Sequence, residues 1–211
     1  MRNKHTEHKG FTLVELLVAL MVMSIILSAV ASLSFALGNA NDSSNDLSLT
    51  QAQLRSATLR LTELLKHSKL ICGTPGDDLV VWRADDNDDG IMNLSELVYI
   101  ERGSQRNYIR LLEFPSISGV LSISNCNDAS VKPELIYYLQ ERYTDLFQES
   151  QCSNVEFVGL NEVVARSRFV SISFDIEEGG ELRNYQINAS LLSWAGNLLN
   201  ADSSAIVDDD D

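Results

Sequence analysis

Between Phe11 and Leu37 the chain carries one charge, Glu15, in an otherwise apolar and small-residue run. The run exceeds the roughly 20 residues needed to cross a hydrocarbon core. Lipid offers a backbone no hydrogen-bond partners, so a segment of this kind has to be an α-helix. Ahead of it stands a polar leader, Met1 to Gly10, with Arg2, Lys4 and Lys9 against Glu7. This positive bias predicts that the leader side stays cytoplasmic and that everything after about residue 40 faces outward. A secretory signal places its small-residue cleavage site after the apolar core; here the charged-to-apolar junction Lys9-Gly10-Phe11 comes before it. Ser24, Ser28, Ser32 and Ser34 punctuate the helix with small side chains that let helices approach closely.

The stretch KGFTLVELLVALMVMSIILSAVASL resembles the type IV prepilin signal shared by pilins and the pseudopilins of type II secretion systems. The resemblance implies cleavage by a prepilin peptidase between Gly10 and Phe11, followed by N-methylation of Phe11. It also gives Glu15 a role as the buried partner of a neighbouring subunit's N-terminal amine. A carboxylate inside a membrane helix costs roughly 2.5 to 3.5 kcal/mol and calls for a partner of that kind. The architecture implied is α+β: a long N-terminal helix, membrane-spanning in one half and amphipathic in the other, packed on a C-terminal antiparallel β domain. The partners implied are the peptidase, other pilins or pseudopilins, an inner-membrane assembly platform and the membrane itself. The expected location is the inner membrane, single pass, with the C-terminal domain in the periplasm or on a surface filament.

The boundaries read as a leader 1–10, a transmembrane or filament-core helix 11–37, an amphipathic extension 38–72, a β-rich domain 73–200 and an acidic tail 201–211. Leu47, Leu54, Ala57, Leu61, Leu64, Leu65 and Ile71 recur at helical spacing and predict a helix over about 47–70. Asn39 to Asp46 leaves open whether the two helical stretches join. Strands are predicted at 79–82, 97–101, 108–114, 120–124, 135–139, 155–160, 168–176 and 182–192. The last two form a hairpin about Gly179-Gly180 in which Val170, Ile172, Phe174 and Ile176 face one way. Residues 133–145 fit a helical turn equally well.

Residues Asp85 to Glu96 satisfy the twelve-residue calcium loop D-x-[DN]-x-[DN]-G-x5-E at every specified place. Asp85, Asn87 and Asp89 supply hard oxygens at positions one, three and five. Ile91 supplies a backbone carbonyl at seven, Asn93 a direct or water-mediated contact at nine, and Glu96 a bidentate carboxylate at twelve. The preceding strand takes the place of an EF-hand helix, so the expectation is one structural Ca²⁺ site, not a paired sensor.

Cys126 and Cys152 fall in polar loops on either side of the 135–139 run and are the expected disulfide, with Cys72 as the alternative partner of either. The net charge of −14 becomes −16 once the leader's three basic residues and one acidic residue are removed, which argues against a broad nucleic-acid surface. After cleavage only His67 remains among the histidines, and no nucleophile elbow, zinc-binding or phosphate-loop motif is present, so no enzyme is expected. Trp82 and Trp194 are expected to fill the core or its edge. The reading is a structural minor subunit of a type IV pilus or type II secretion pseudopilus, comparable to the larger J-type or W-type components. The alternative is a membrane-anchored, non-polymerising calcium-binding protein.

Overall fold

The four-residue run Leu79-Val80-Val81-Trp82 has no polar face, and a strand of that composition needs cover on both sides. A computed structural model, which describes residues 12–115, 119–132, 142–203 and 206–207, provides that cover. Helix α1 runs from Leu13 to His67 and is followed by β1 (Leu70–Gly73), β2 (Leu79–Trp82), β3 (Leu97–Glu101) and β4 (Ile109–Glu113). A one-turn helix, α2 (Ile123–Cys126), precedes β5 (Arg142–Phe147), β6 (Ser153–Val158), β7 (Phe169–Glu178) and β8 (Glu181–Ser190). Strands β1 to β5 form one antiparallel sheet in chain order, and β6-β7-β8 form a second. Contacts divide the chain into two units, residues 1–48 and 49–211. The architecture is the α+β layout expected: a long N-terminal helix with an antiparallel β domain.

Within 49–211 the two-residue period of each strand distributes its side chains between two cores. Ile71, Leu79, Val81, Val98, Ile100, Ile109 and Leu111 join the first. The α1 stripe Ala57, Leu61 and Leu65, spaced by four, belongs to the same core, as do Val170, Ile172, Phe174 and Ile176 of β7. Leu70, Cys72, Val80, Trp82, Leu97, Tyr99, Leu112 and Phe114 join the second, with Met92, Leu94, Leu121, Ile123 and Cys126 beneath the acidic loop. Aromatic rings lock each core. Phe174 lies 5.0 Å from Phe147 and 6.2 Å from Tyr185, while Tyr99 meets Phe114 edge-on at 5.9 Å.

Strands β2 and β3 match the expected runs, and β4, β6, β7 and β8 match within three residues. The β7–β8 hairpin turns through Gly179 and Gly180, both at positive φ, as a two-residue loop of this twist demands. Two expectations are corrected. Residues 120–124 are no strand: Val120 makes an isolated bridge to Asn93, and the chain then turns into α2. The amphipathic helix stops at His67, where the Ser68 amide and hydroxyl both donate to the Leu64 carbonyl, and Leu70 to Gly73 become β1. Residues 39–46 are helical within α1. The strand expected at 135–139 lies outside the described residues, as does the Gly10–Phe11 bond.

Phe174→Ala should lower the unfolding free energy of the detergent-solubilised chain by about 3–5 kcal/mol in urea titration. Leu182→Ser, on the exposed face of β8, should stay within about 0.5 kcal/mol.

Candidate functional site

The acidic loop is built inward from Glu96. Its carboxylate is almost fully buried and accepts three N–H bonds: Oε1 from the Asp86 amide at 2.8 Å, and Oε2 from the Trp82 indole at 3.0 Å and the Asn93 amide at 3.1 Å. Those bonds tie the two ends of the loop to the β2 strand below. A buried carboxylate without such donors would cost several kcal/mol, so the loop's shape follows from satisfying this one group. Met92 and Leu94 point down into the second core, and the Leu94 and Leu121 amides close the loop against Gly119 and Met92 carbonyls.

Above this floor Asp85 turns back over the loop. Its Oδ1 accepts the Asp89 amide and its Oδ2 the Gly90 amide, both at 3.1 Å, and Oδ2 also meets Lys69 Nζ at 3.1 Å. Lys69 in turn lies 5.1 Å over the Trp82 ring, so this ammonium is the cation the loop now holds. Asp89 is exposed; the Ile91 amide above all, helped by the Asn93 and Asn87 side chains, holds its carboxyl below the usual range. It is therefore ionised at neutral pH. Gly90 takes positive φ at the sixth position, where the turn is sharpest. The structure thus gathers Asp85, Asn87, Asp89 and Asn93 at the loop's mouth, with the Ile91 carbonyl accepting from the Asn93 side-chain Nδ2 at 3.2 Å. Glu96 is set beneath them. Among the described residues no three His, Cys, Asp or Glu side chains converge on one point.

At the other end of the chain Thr12 immediately precedes α1 and caps it. Its amide and hydroxyl both donate to Glu15 Oε2 at 2.9 Å, while the Glu15 amide reaches back to the Thr12 hydroxyl at 3.3 Å. This is a reciprocal capping box, and it orients the carboxylate at the helix N-terminus. From Leu13 to Leu37 the large apolar side chains are exposed on every side of the helix. Leu13–His67 contains a window long and apolar enough to cross a membrane.

A family model described as the prokaryotic N-terminal methylation motif matches residues 6–31. The N-terminus is of prepilin type. The match supports a type IV pilin-like protein, processed by prepilin peptidase and assembling as pilins do, with the N-terminal helix compatible with a single membrane anchor. No curated protein and no solved structure matches the chain.

Against this prepilin-type background the remaining site residues sort plainly. All three cysteines are unbonded. The expected Cys126–Cys152 pair is not brought together: Cys152 belongs to the first core and Cys126 to the second, which also holds Cys72. Cys126 is drawn away because α2 packs on β1. Trp82 is a core residue, and Trp194 packs at the edge of the first core with the Arg168 guanidinium 4.6 Å over its ring. His67 is exposed beside Glu63 at 3.4 Å. Sequence reasoning missed the part of Lys69, which only the β1–β2 pairing carries to Asp85, and the Thr12–Glu15 cap, whose T-x-x-E signature was present to be read.

Glu96→Ala removes the acceptor of three N–H groups at once. In calcium-free buffer the unfolding free energy should fall by roughly 3 kcal/mol or more. Asp86→Ala, which loses an exposed pair with Arg83, should change it by less than about 1 kcal/mol.

Proposed function

We propose that this chain is a minor subunit of a filament of the type IV pilus or type II secretion pseudopilus class, cleaved at Gly10–Phe11, with a structural and not a catalytic role. The observation that carries the reading is the apolar surface of Leu13 to Leu37, which none of the described residues of its own unit covers. Burying such a surface is worth about 25 cal/mol per Å², so it requires lipid before assembly and neighbouring helices after it. The exposed serines suit the second state as well as the first.

Glu15 fits the assembly role by its bonding. Both Thr12 bonds go to Oε2, and a carboxylate has about four acceptor sites. Oε1 is thereby aimed from a preorganised helix N-terminus toward a cation, which in the filament is the methylated amine of a neighbour's Phe11. The β domain then faces the periplasm or the exterior.

The same reading gives the acidic loop one Ca²⁺. Its ligands are Asp85, Asn87, Asp89, the Ile91 carbonyl and Asn93, the last directly or through water. Glu96 would contribute Oε1, which the Asp86 amide leaves with a free lone pair. The donor set is hard and anionic, and the ion takes over the neutralising role of the Lys69 ammonium.

Two experiments test these statements separately. Glu15→Ala should leave the chain membrane-bound and processed yet cut its recovery in sheared or immunopurified filaments by about tenfold or more; undiminished recovery would contradict the assembly role. Millimolar calcium should raise the melting temperature of the wild-type chain in detergent, and Asp89→Ala should abolish that gain while leaving the calcium-free melt nearly unchanged. A wild-type melt insensitive to calcium removes the metal from the account.

A further inference from the structure

Cys72 lies on β1 and Cys126 closes α2, and both are essentially without solvent exposure inside the second core. The two segments approach closely at the next residues along. The Thr74 amide donates to Asn127 Oδ1 at 3.0 Å, and a Cβ on Gly73 would press on that oxygen and stand 3.0 Å from the Cys126 carbonyl oxygen. Only a residue without a side chain lets β1 and α2 come this near. The Cys72 thiol donates to the Met92 thioether at 3.3 Å, within the same core as Cys126. Cys152 lies in the other core, and burial pushes its thiol up to about 12.

We propose that Cys72 and Cys126 are the structural disulfide of the exported chain and that Cys152 stays a free thiol. The bond forms with the loss of one proton and one electron from each thiol. A thiol–disulfide oxidant in its disulfide form accepts both electrons and leaves as a dithiol, through a mixed disulfide with one of the two cysteines. Burial, and then the neighbouring Cys126 thiol, keep Cys72 well above the usual thiol range in the finished core. The attacking thiolate is therefore generated before the core closes, while β1 and α2 are docking. The closed loop spans β2, the acidic loop, β3 and β4. It fixes the floor on which Met92 sits, and so preorganises the mouth of the acidic loop.

The presence of an oxidant rests on the exported placement proposed above; the choice of partners does not. Purified full-length chain in detergent, reduced and unfolded and then refolded against glutathione disulfide, is trapped with N-ethylmaleimide and digested without reductant. The expected product is a peptide pair joined through Cys72 and Cys126, about 2 Da lighter than the two thiol peptides, with Cys152 as the one alkylated cysteine. Cys152→Ser should leave that product unchanged, and dithiothreitol should lower the melting temperature by about 5–15 °C. Three alkylated cysteines, or a link through Cys152, overturn the proposal. The same digest of chain taken from the host envelope also reports the N-terminus. A processed chain with all three cysteines alkylated overturns the disulfide and leaves the filament reading standing. An unprocessed, reduced host chain that still links Cys72 to Cys126 in vitro supports the pairing and counts against export.

Discussion

A sheet with two apolar faces has to be covered twice, and the organisation of residues 49–211 follows from that requirement. The first face takes the stripe Ala57, Leu61 and Leu65 of α1 together with the inner face of β7. The second is roofed by the acidic loop, by α2 and by the turn that carries Ala165. That choice forces an acidic segment against an apolar floor. Met92 and Leu94 meet the floor with methylenes, and Glu96 meets it with a carboxylate that Trp82 and two backbone amides satisfy. The loop's other acids are left at the surface, where their mutual repulsion is relieved by Lys69 and by amide donors.

The same rule applied to residues 13–48 gives the opposite result. Here apolar side chains surround the helix instead of forming a stripe, and the described residues of their own unit do not cover them. The helix is stable as an isolated element because its hydrogen bonds are internal and its first turn is capped by Thr12 and Glu15. Its surface, in contrast, is compatible with a single membrane anchor. The prepilin-type motif at residues 6–31 covers most of this uncovered surface.

Strands with uninterrupted apolar runs between polar segments, Leu79–Trp82 and Leu97–Glu101, were legible residue by residue. So was the β7–β8 hairpin, because alternation and a Gly-Gly turn specify it together. Leu70–Gly73 was not, since Ile71 falls in phase with the helical stripe and the stop at His67 depends on β2 being there to pair with. β5 was hidden for another reason: a register shift between Ile109 and Arg110 turns both Leu146 and Phe147 inward, which erases the alternation. In the loop the donor pattern was readable, but the burial of Glu96 under Trp82 and the arrival of Lys69 are tertiary facts with no local signature. The cysteines teach the same lesson, because loop position suggested Cys126 and Cys152 as partners, whereas the packing of α2 on β1 puts Cys126 in the core that holds Cys72.

The account stands or falls on what becomes of the N-terminus, and intact mass with terminal sequencing of the chain recovered from host membranes reads it directly. Processing by the prepilin route predicts a chain that starts at Phe11 and carries one added methyl group on its amine. A chain that still begins at Met1 in a host with active prepilin peptidase would contradict it and would make Glu15 no more than a helix cap.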